Sequence, residues 1–266
     1  ARFGRIGSGA ARPMTRFSLG RMTIPVLGGL TLLAVLSLLV PVGQLVRWLV
    51  VGSSTTFPWS TLAATALTTA ALASGAALLT VLMALALGWL GERQRSRLGA
   101  WLERATYFGS AMPGIVVALA LITVSIRLLP ALYQTLPLLL LAYAILFLPR
   151  AVVNVRTALS QAPPLYDEVA RSLGSRTPSR LARVTLPLMA PGLGAGAALV
   201  FLAVATELTA TLLLAPTGTR TLATQFWTFS NTLSYGAAAP YAALMVAISA
   251  PATWLLTRQA RGGHGV

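Results

Sequence analysis

Residues Pro163–Pro187, PPLYDEVARSLGSRTPSRLARVTLP, form a polar island of twenty-five residues between two long apolar runs. The pattern predicts two short helices broken by a glycine. Pro163 and Pro164 suit a first helical turn, where a missing N–H costs nothing, and Asp167 and Glu168 sit early enough to favour its positive end. Gly174 ends that helix, since glycine takes the left-handed conformation past a helix C-terminus without a Cβ clash. Thr177 and Pro178 read as a fresh N-cap and first position, and the second helix is expected to run to Pro187. Leu165, Val169, Ala170 and Leu173 would supply the apolar contacts of the first helix, and Glu168 could cap it or pair with Arg171 at i+3.

The surrounding composition is that of a membrane protein. The chain has 266 residues, 56% hydrophobic and 9% charged, with a mean hydropathy of +0.77. Cysteine is absent and the single histidine, His264, lies in a Gly-rich tail. Those absences remove a disulfide framework, a thiolate nucleophile and a cysteine metal site, and they argue against a histidine-based active site. All twenty basic residues are arginine. A chain without lysine has no Gly-x-x-x-x-Gly-Lys phosphate loop, so ATP binding of that type is expected on another chain. The net charge of +15 does not indicate nucleic acid, because the arginines fall between apolar spans rather than along one face.

Six spans are expected: Ile24 to Val46, Leu62 to Leu90, and from about Tyr107 to Ile126, Leu136 to Val153, Gly192 to Leu214 and Tyr241 to Leu256. The first would be roughly 34 Å long, enough for the hydrocarbon core. Met112-Pro113-Gly114 lies near the start of the third, and Pro149 should bend the fourth. Gly192 and Gly196 open the fifth with a small-x-x-x-small face suited to close helix packing. The domain expectation is a basic cytoplasmic linker or tail at 1–22, a first helix and outer loop at 23–58, a main membrane domain at 59–258 containing the loop 163–187, and a tail at 259–266.

Orientation follows from the arginines. Seventeen fall on the side of the polar island and both termini, against Arg47, Arg127 and Arg220 on the other. The positive-inside rule therefore places both termini and residues 163–187 in the cytoplasm.

Glu168-Val169-Ala170, three residues, Gly174, nine residues and Val184-Thr185-Leu186-Pro187 resembles the EAA loop of importer-type ABC transporter permeases, whose pattern is E-A-A, three, G, nine, I-x-L-P. The spacing is intact, with Val169 in place of an alanine and Val184 in place of isoleucine. The stretches FLPRAVVNVRTALSQAPPLYDEVARSLG (147–174) and GAALVFLAVATELTATLLLAPTGTRTLATQFW (196–227) are similar to matching parts of ferric-iron permeases, and more weakly to those for polyamines, sulfate and thiamine. The basic N-terminal segment resembles the link between the halves of fused double permeases.

From roughly Thr61 to Arg258, the resemblance implies an all-α, polytopic type I ABC importer permease fold with six transmembrane helices in the bacterial plasma (inner) membrane. It implies a second permease half or copy, two ATPase subunits carrying ATP and Mg, and an extracytoplasmic solute-binding protein. No cofactor is expected in this chain. The ATPase-coupling residues implied are Leu165, Asp167, Glu168, Val169, Ala170, Leu173, Gly174, Leu186 and Pro187. Ferric iron is the implied cargo, with thiamine, polyamine, sulfate or another small solute as alternatives.

Two other classes weigh less. A secondary transporter would more often show several intramembrane ionisable groups, and a membrane enzyme would need a nucleophile, base or metal cluster that these residues do not assemble. Glu207 is the one acidic residue inside an expected span, so it should face the bundle interior or a watery path, with Arg127 as candidate partner. A structural ion pair and a pathway-lining role both remain open at this stage. Hard ferric ions want several carboxylate, phenolate or imidazole ligands. The expected spans lack such a set, which would leave strong coordination to the binding protein.

The orientation is testable by impermeant-reagent labelling, clean because the chain has no native cysteine. Ser175→Cys should label only after the membrane is opened, whereas Thr219→Cys should label in intact cells.

Overall fold

The computed structural model of the chain describes residues 19–52, 55–93, 97–160, 162 and 164–262. The expected linker up to residue 18, the tail from residue 263 with His264, and Pro163 lie outside the described residues. The chain divides into two compact units, Ala1–Val46 and Arg47–Val266.

Most of the first unit's described part is helix α1, Thr23–Val51, which continues across the boundary. A 3-10 turn at Gly20–Met22 precedes it, and the Thr23 hydroxyl donates to the Gly20 carbonyl at 2.8 Å. The side chains of α1 are mostly apolar and largely exposed through Val42, as suits a helix solvated by lipid.

The second unit holds α2 (Trp59–Gly88), α3 (Arg97–Ala111), α4 (Gly114–Leu128), α5 (Leu136–Ser160), α6 (Pro164–Ser172), α7 (Thr177–Arg180), α8 (Leu186–Ala205), α9 (Thr209–Leu214), α10 (Leu222–Asn231) and α11 (Tyr235–Gly262). Helices α2, α5 and α8 interlock as its centre. Lipid tails are as apolar as leucine, so helices associate in a bilayer by close packing, and small residues permit it. Ala73, Ala76 and Ala84 of α2 and Ala142, Ala151 and Ala158 of α5 are completely buried. The Gly192/Gly196 face meets α5 as its spacing suggests: a Cβ added at Gly192 would lie 2.6 Å from the Ala158 Cβ, and one at Gly196 3.2 Å from the Asn154 Cβ. Buried hydroxyls on α2 are satisfied within the helix, Thr65 donating to the Thr61 carbonyl at 2.7 Å and Thr80 to that of Ala76 at 2.6 Å.

Among the described residues, five helices are long and apolar enough to cross a membrane: Gly20–Val51, Trp59–Gly91, Leu136–Ser160, Leu181–Ala205 and Tyr235–Arg258. The third expected span is instead two helices, because Pro113 interrupts the chain between α3 and α4 with an extended ψ of 142°. Helix α4 alone is about 22 Å long, short of the hydrocarbon core. The fifth expected span, Gly192 to Leu214, also differs: its long helix ends at Ala205, and α9 is a separate piece.

The second helix of the polar island does not stop at Pro187. Helix α7 passes through a π-turn at Leu181–Thr185 directly into α8. In that wide turn the Leu186 amide donates to the Leu181 carbonyl, and the locally altered bonding accommodates the absent N–H of Pro187.

Gly192→Val should be destabilising by about 1–3 kcal/mol through overpacking against Ala158, read as a lower thermal midpoint of the purified protein in detergent. Gly75→Ala, whose added Cβ would come no closer than 3.6 Å to Leu140, should leave the midpoint nearly unchanged.

Candidate functional site

The polar island folds as a short helix held by a sharp stop. Past α6, the Gly174 amide donates to the Arg171 carbonyl at 2.9 Å and the Ser175 amide to the Ala170 carbonyl at 3.0 Å. With Gly174 at a φ of +77°, these paired bonds make a Schellman C-cap, in which glycine carries the left-handed residue. The stop turns the chain at once into α7, which packs back on α6.

Leu165 and Val169 of α6 and Leu173, the residue just past it whose amide still bonds the Val169 carbonyl, recur every fourth position and so share one face. All three are exposed, by 62%, 51% and 82%. An apolar stripe on an otherwise polar surface loop is the kind of surface through which partner proteins dock. Ala170 is half-buried at the edge of this face and Glu168 is exposed. Among the described residues Glu168 makes no ion pair with Arg171, so its carboxylate is available outward. Asp167 lies in the helix beside Glu168. Leu186 and Pro187 are not part of this surface: they sit at the start of α8, beyond the π-turn.

A second feature lies where two helix breaks meet. The chain leaves the helix at Thr206 and resumes it at Thr209. Glu207 turns its carboxylate onto the new start, with the Ala210 amide donating to Oε1 at 3.0 Å. The Thr211 hydroxyl donates to the Glu207 carbonyl at 2.7 Å, so the contact of 2.7 Å between Tyr143 Oη and Thr211 Oγ1 has tyrosine as the donor. Tyr143 is 1% exposed on α5. The facing helix is α4, whose first residue Gly114 would place an added Cβ 3.5 Å from Glu207 Oε1.

This geometry overturns the expected pairing of Glu207 with Arg127. The carboxylate faces the first turn of α4, whereas Arg127 is exposed in the last turn. Thirteen residues separate Gly114 from Arg127, or about 20 Å along the axis, too far for two side chains to bridge. Tyr143, Thr211 and Gly114 were not singled out from the sequence. Signals for Gly114 and Thr211 were present as Met112-Pro113-Gly114 and the Thr-rich ELTAT, but none marked Tyr143, and the meeting of two breaks is a long-range fact.

The chain matches the family model described as binding-protein-dependent transport system inner membrane component over residues 80–262. It is 38% identical over 259 residues to Fe(3+)-transport system permease protein FbpB 2 of Haemophilus influenzae, covering 96% of this chain and 51% of that one. It is 37% identical over 108 residues to a probable molybdenum ABC transporter permease of Haloferax volcanii, covering 41% and 40%. It is 31% identical over 149 residues to the putative 2-aminoethylphosphonate transport system permease PhnV of Salmonella typhimurium, covering 56% of each. The chain thus spans about half the length of these curated relatives. Among solved structures, a chain of the inward-facing MetNI methionine ABC transporter superposes with a TM-score of 0.55 at 16% identity, covering 75% of this chain and 93% of that one.

At the helix break, Glu207→Gln keeps an acceptor for the Ala210 amide and should fold normally, whereas Glu207→Leu should be destabilising by about 1–3 kcal/mol by stranding that donor. Tyr143→Phe should be milder, about 1 kcal/mol. Thermal unfolding of the purified variants ranks the three, and Arg127→Leu should match wild type.

Proposed function

Since this chain belongs to the inner membrane components of binding-protein-dependent transport systems, a family of ABC importer permeases, we propose that it forms one helical bundle of a pair and that α6 couples the bundle to an ATPase. It is a multi-pass inner membrane protein, and its family works with ATPase and binding-protein partners. The stoichiometry proposed is two ATPase subunits, which hold ATP and Mg, and one second bundle, supplied by a like chain or by another part of the same polypeptide. The orientation proposed has both termini and α6 on the ATPase side, which the arginine bias supports.

The observation that carries the coupling role is the exposed stripe Leu165, Val169 and Leu173 on a helix closed by the Gly174 cap. A short helix held at a fixed angle to its neighbours transmits rigid-body motion when its apolar face is buried in a partner's groove. The chain from Thr177 to Ala205 is helical throughout, so a displacement delivered at α6 enters the packed centre along α8. Glu168, free of an ion pair within the described chain, is available to the ATPase surface.

Ferric iron is the proposed cargo, delivered by an extracytoplasmic binding protein. The support is the likeness to the iron permease over nearly the whole chain, against shorter likenesses to relatives named for other solutes. No group of three or more His, Cys, Asp or Glu side chains is placed to hold a metal among the described residues.

Leu173→Glu and Gly174→Val, each in the complete transporter, should leave membrane abundance near wild type and reduce binding-protein-stimulated ATP turnover at least about tenfold. Glutamate places a charge in the groove, and valine in a left-handed conformation costs on the order of 1–2 kcal/mol. Normal coupling in both variants would refute the assignment of α6. Radiolabelled iron uptake, measured against thiamine, sulfate and polyamine uptake in cells lacking the gene, tests the cargo separately.

A further inference from the structure

At the opposite end of α5 from the polar island, the loop between α9 and α10 presents one arginine in a rigid setting. The Thr219 amide donates to the Pro216 carbonyl at 3.0 Å, and Gly218 has a φ of +89°, as the third residue of a type II turn requires. Directly after Arg220, Thr221 caps α10. Its hydroxyl accepts the Thr224 amide at 3.2 Å, and its own amide donates to Thr224 Oγ1 at 3.0 Å. The Leu222 amide then donates across to Thr69 Oγ1 on α2 at 2.9 Å, a buried bond that pins the loop to the bundle. Arg220 is thus flanked by a closed turn and a pinned helix start, yet it is exposed and makes no hydrogen bond or ion pair among the described residues.

Two adjoining cavities share Thr68, Gly218 and Arg220. The larger, of about 630 Å³, runs along Leu67, Leu72, Leu136 and Leu140 between α2 and α5. The smaller, of about 350 Å³, reaches Ser60 and Thr61, whose hydroxyls have no partner among the described residues. A cation on a firmly held stretch of backbone, with free hydroxyls beside it, stands at the head of an apolar groove between two membrane-crossing helices. Leu67 is 72% and Leu136 46% exposed, so the groove opens onto the surroundings of this unit. The positive-inside rule gives no reason for a cation here, since it draws arginine to the opposite, cytoplasmic side.

The geometry points to a binding site for an anionic phospholipid, its phosphate on Arg220 with Ser60 and Thr61, and an acyl chain along Leu67, Leu72, Leu136 and Leu140. Charge complementarity selects an anion, and the leucine-lined groove selects one carrying hydrocarbon, which the bilayer supplies at high concentration. A free oxyanion would leave the groove empty. An acidic segment of a partner protein would satisfy the arginine but would not need a groove opening sideways along two spans.

The test is native mass spectrometry of the complete transporter in detergent, titrated with phosphatidylglycerol, phosphatidylcholine of the same chain length, and inorganic phosphate. Phosphatidylglycerol should be retained preferentially, and Arg220→Gln should reduce its retention about tenfold, the scale of one charge-assisted hydrogen bond. Arg220→Lys should keep most of it, and Arg127→Gln all of it. Leu67→Asn, at an exposed position, should weaken retention with the arginine intact, a separate readout should Arg220→Gln fail to fold. Equal retention of the two lipids, or unchanged retention in Arg220→Gln, would overturn the site. Inorganic phosphate displacing phosphatidylglycerol at equal concentration would reassign it to a free anion. Loss of binding-protein affinity in Arg220→Gln with lipid retention unchanged would reassign it to a protein carboxylate.

Discussion

Hydrocarbon offers no hydrogen bonds, so a helix that breaks within a membrane bundle must satisfy the freed N–H groups from its own chain. The bond from the Ala210 amide to Glu207 Oε1 meets this constraint at the Thr206–Leu208 break. It places a carboxylate where a helix start needs an acceptor, which accounts for an acidic residue in an otherwise apolar region. The second break, at Met112 and Pro113, brings the first turn of α4 against the same carboxylate. Thr211 completes the arrangement by donating its hydroxyl to the Glu207 carbonyl, and Tyr143 donates in turn to Thr211. The breaks are therefore bonded junctions between rigid pieces.

Rigidity elsewhere comes from small residues. Where Gly192 and Gly196 meet Ala158 and Asn154, the backbones of α5 and α8 approach so closely that an extra methyl group has no room at Gly192 and is crowded at Gly196. A packed centre of this kind moves as a body and does not deform continuously. Helices α7 and α8, joined through the π-turn, make one rod about 43 Å long with the α6 junction at one end and the Glu207 break at the other. In the proposed function this rod is the mechanical link, moved at its α6 end and jointed at its far end.

The sequence was most informative where the controlling interactions are local. The α6 stop at Gly174 is a contest within a few residues between helix continuation and the left-handed turn, and the intact spacing from Glu168 to Pro187 is enough to name the family. Helix packing at Gly192 and Gly196 was legible for the same reason, since a four-residue period of small side chains has one physical use in lipid. Composition likewise sufficed for a polytopic membrane protein, and the absence of lysine leaves these residues without a Walker-type phosphate loop.

Other features were decided only in three dimensions. Local chemistry says that Pro187 should end a helix, yet the π-turn before it accommodates the missing donor, and the packing of α8 on α5 and α2 favours continuation. Hydropathy joined Gly192 to Leu214 in one span because averaging over a window cannot detect one amide finding one carboxylate. The partner of Glu207 was misjudged for a related reason. Sequence distance along an assumed straight helix pointed to Arg127, whereas the break rotates the carboxylate toward Gly114 on a neighbouring helix. Which side chains share a junction depends on where two separate helices interrupt at the same level. That is set by packing between segments some ninety residues apart, which no local pattern records.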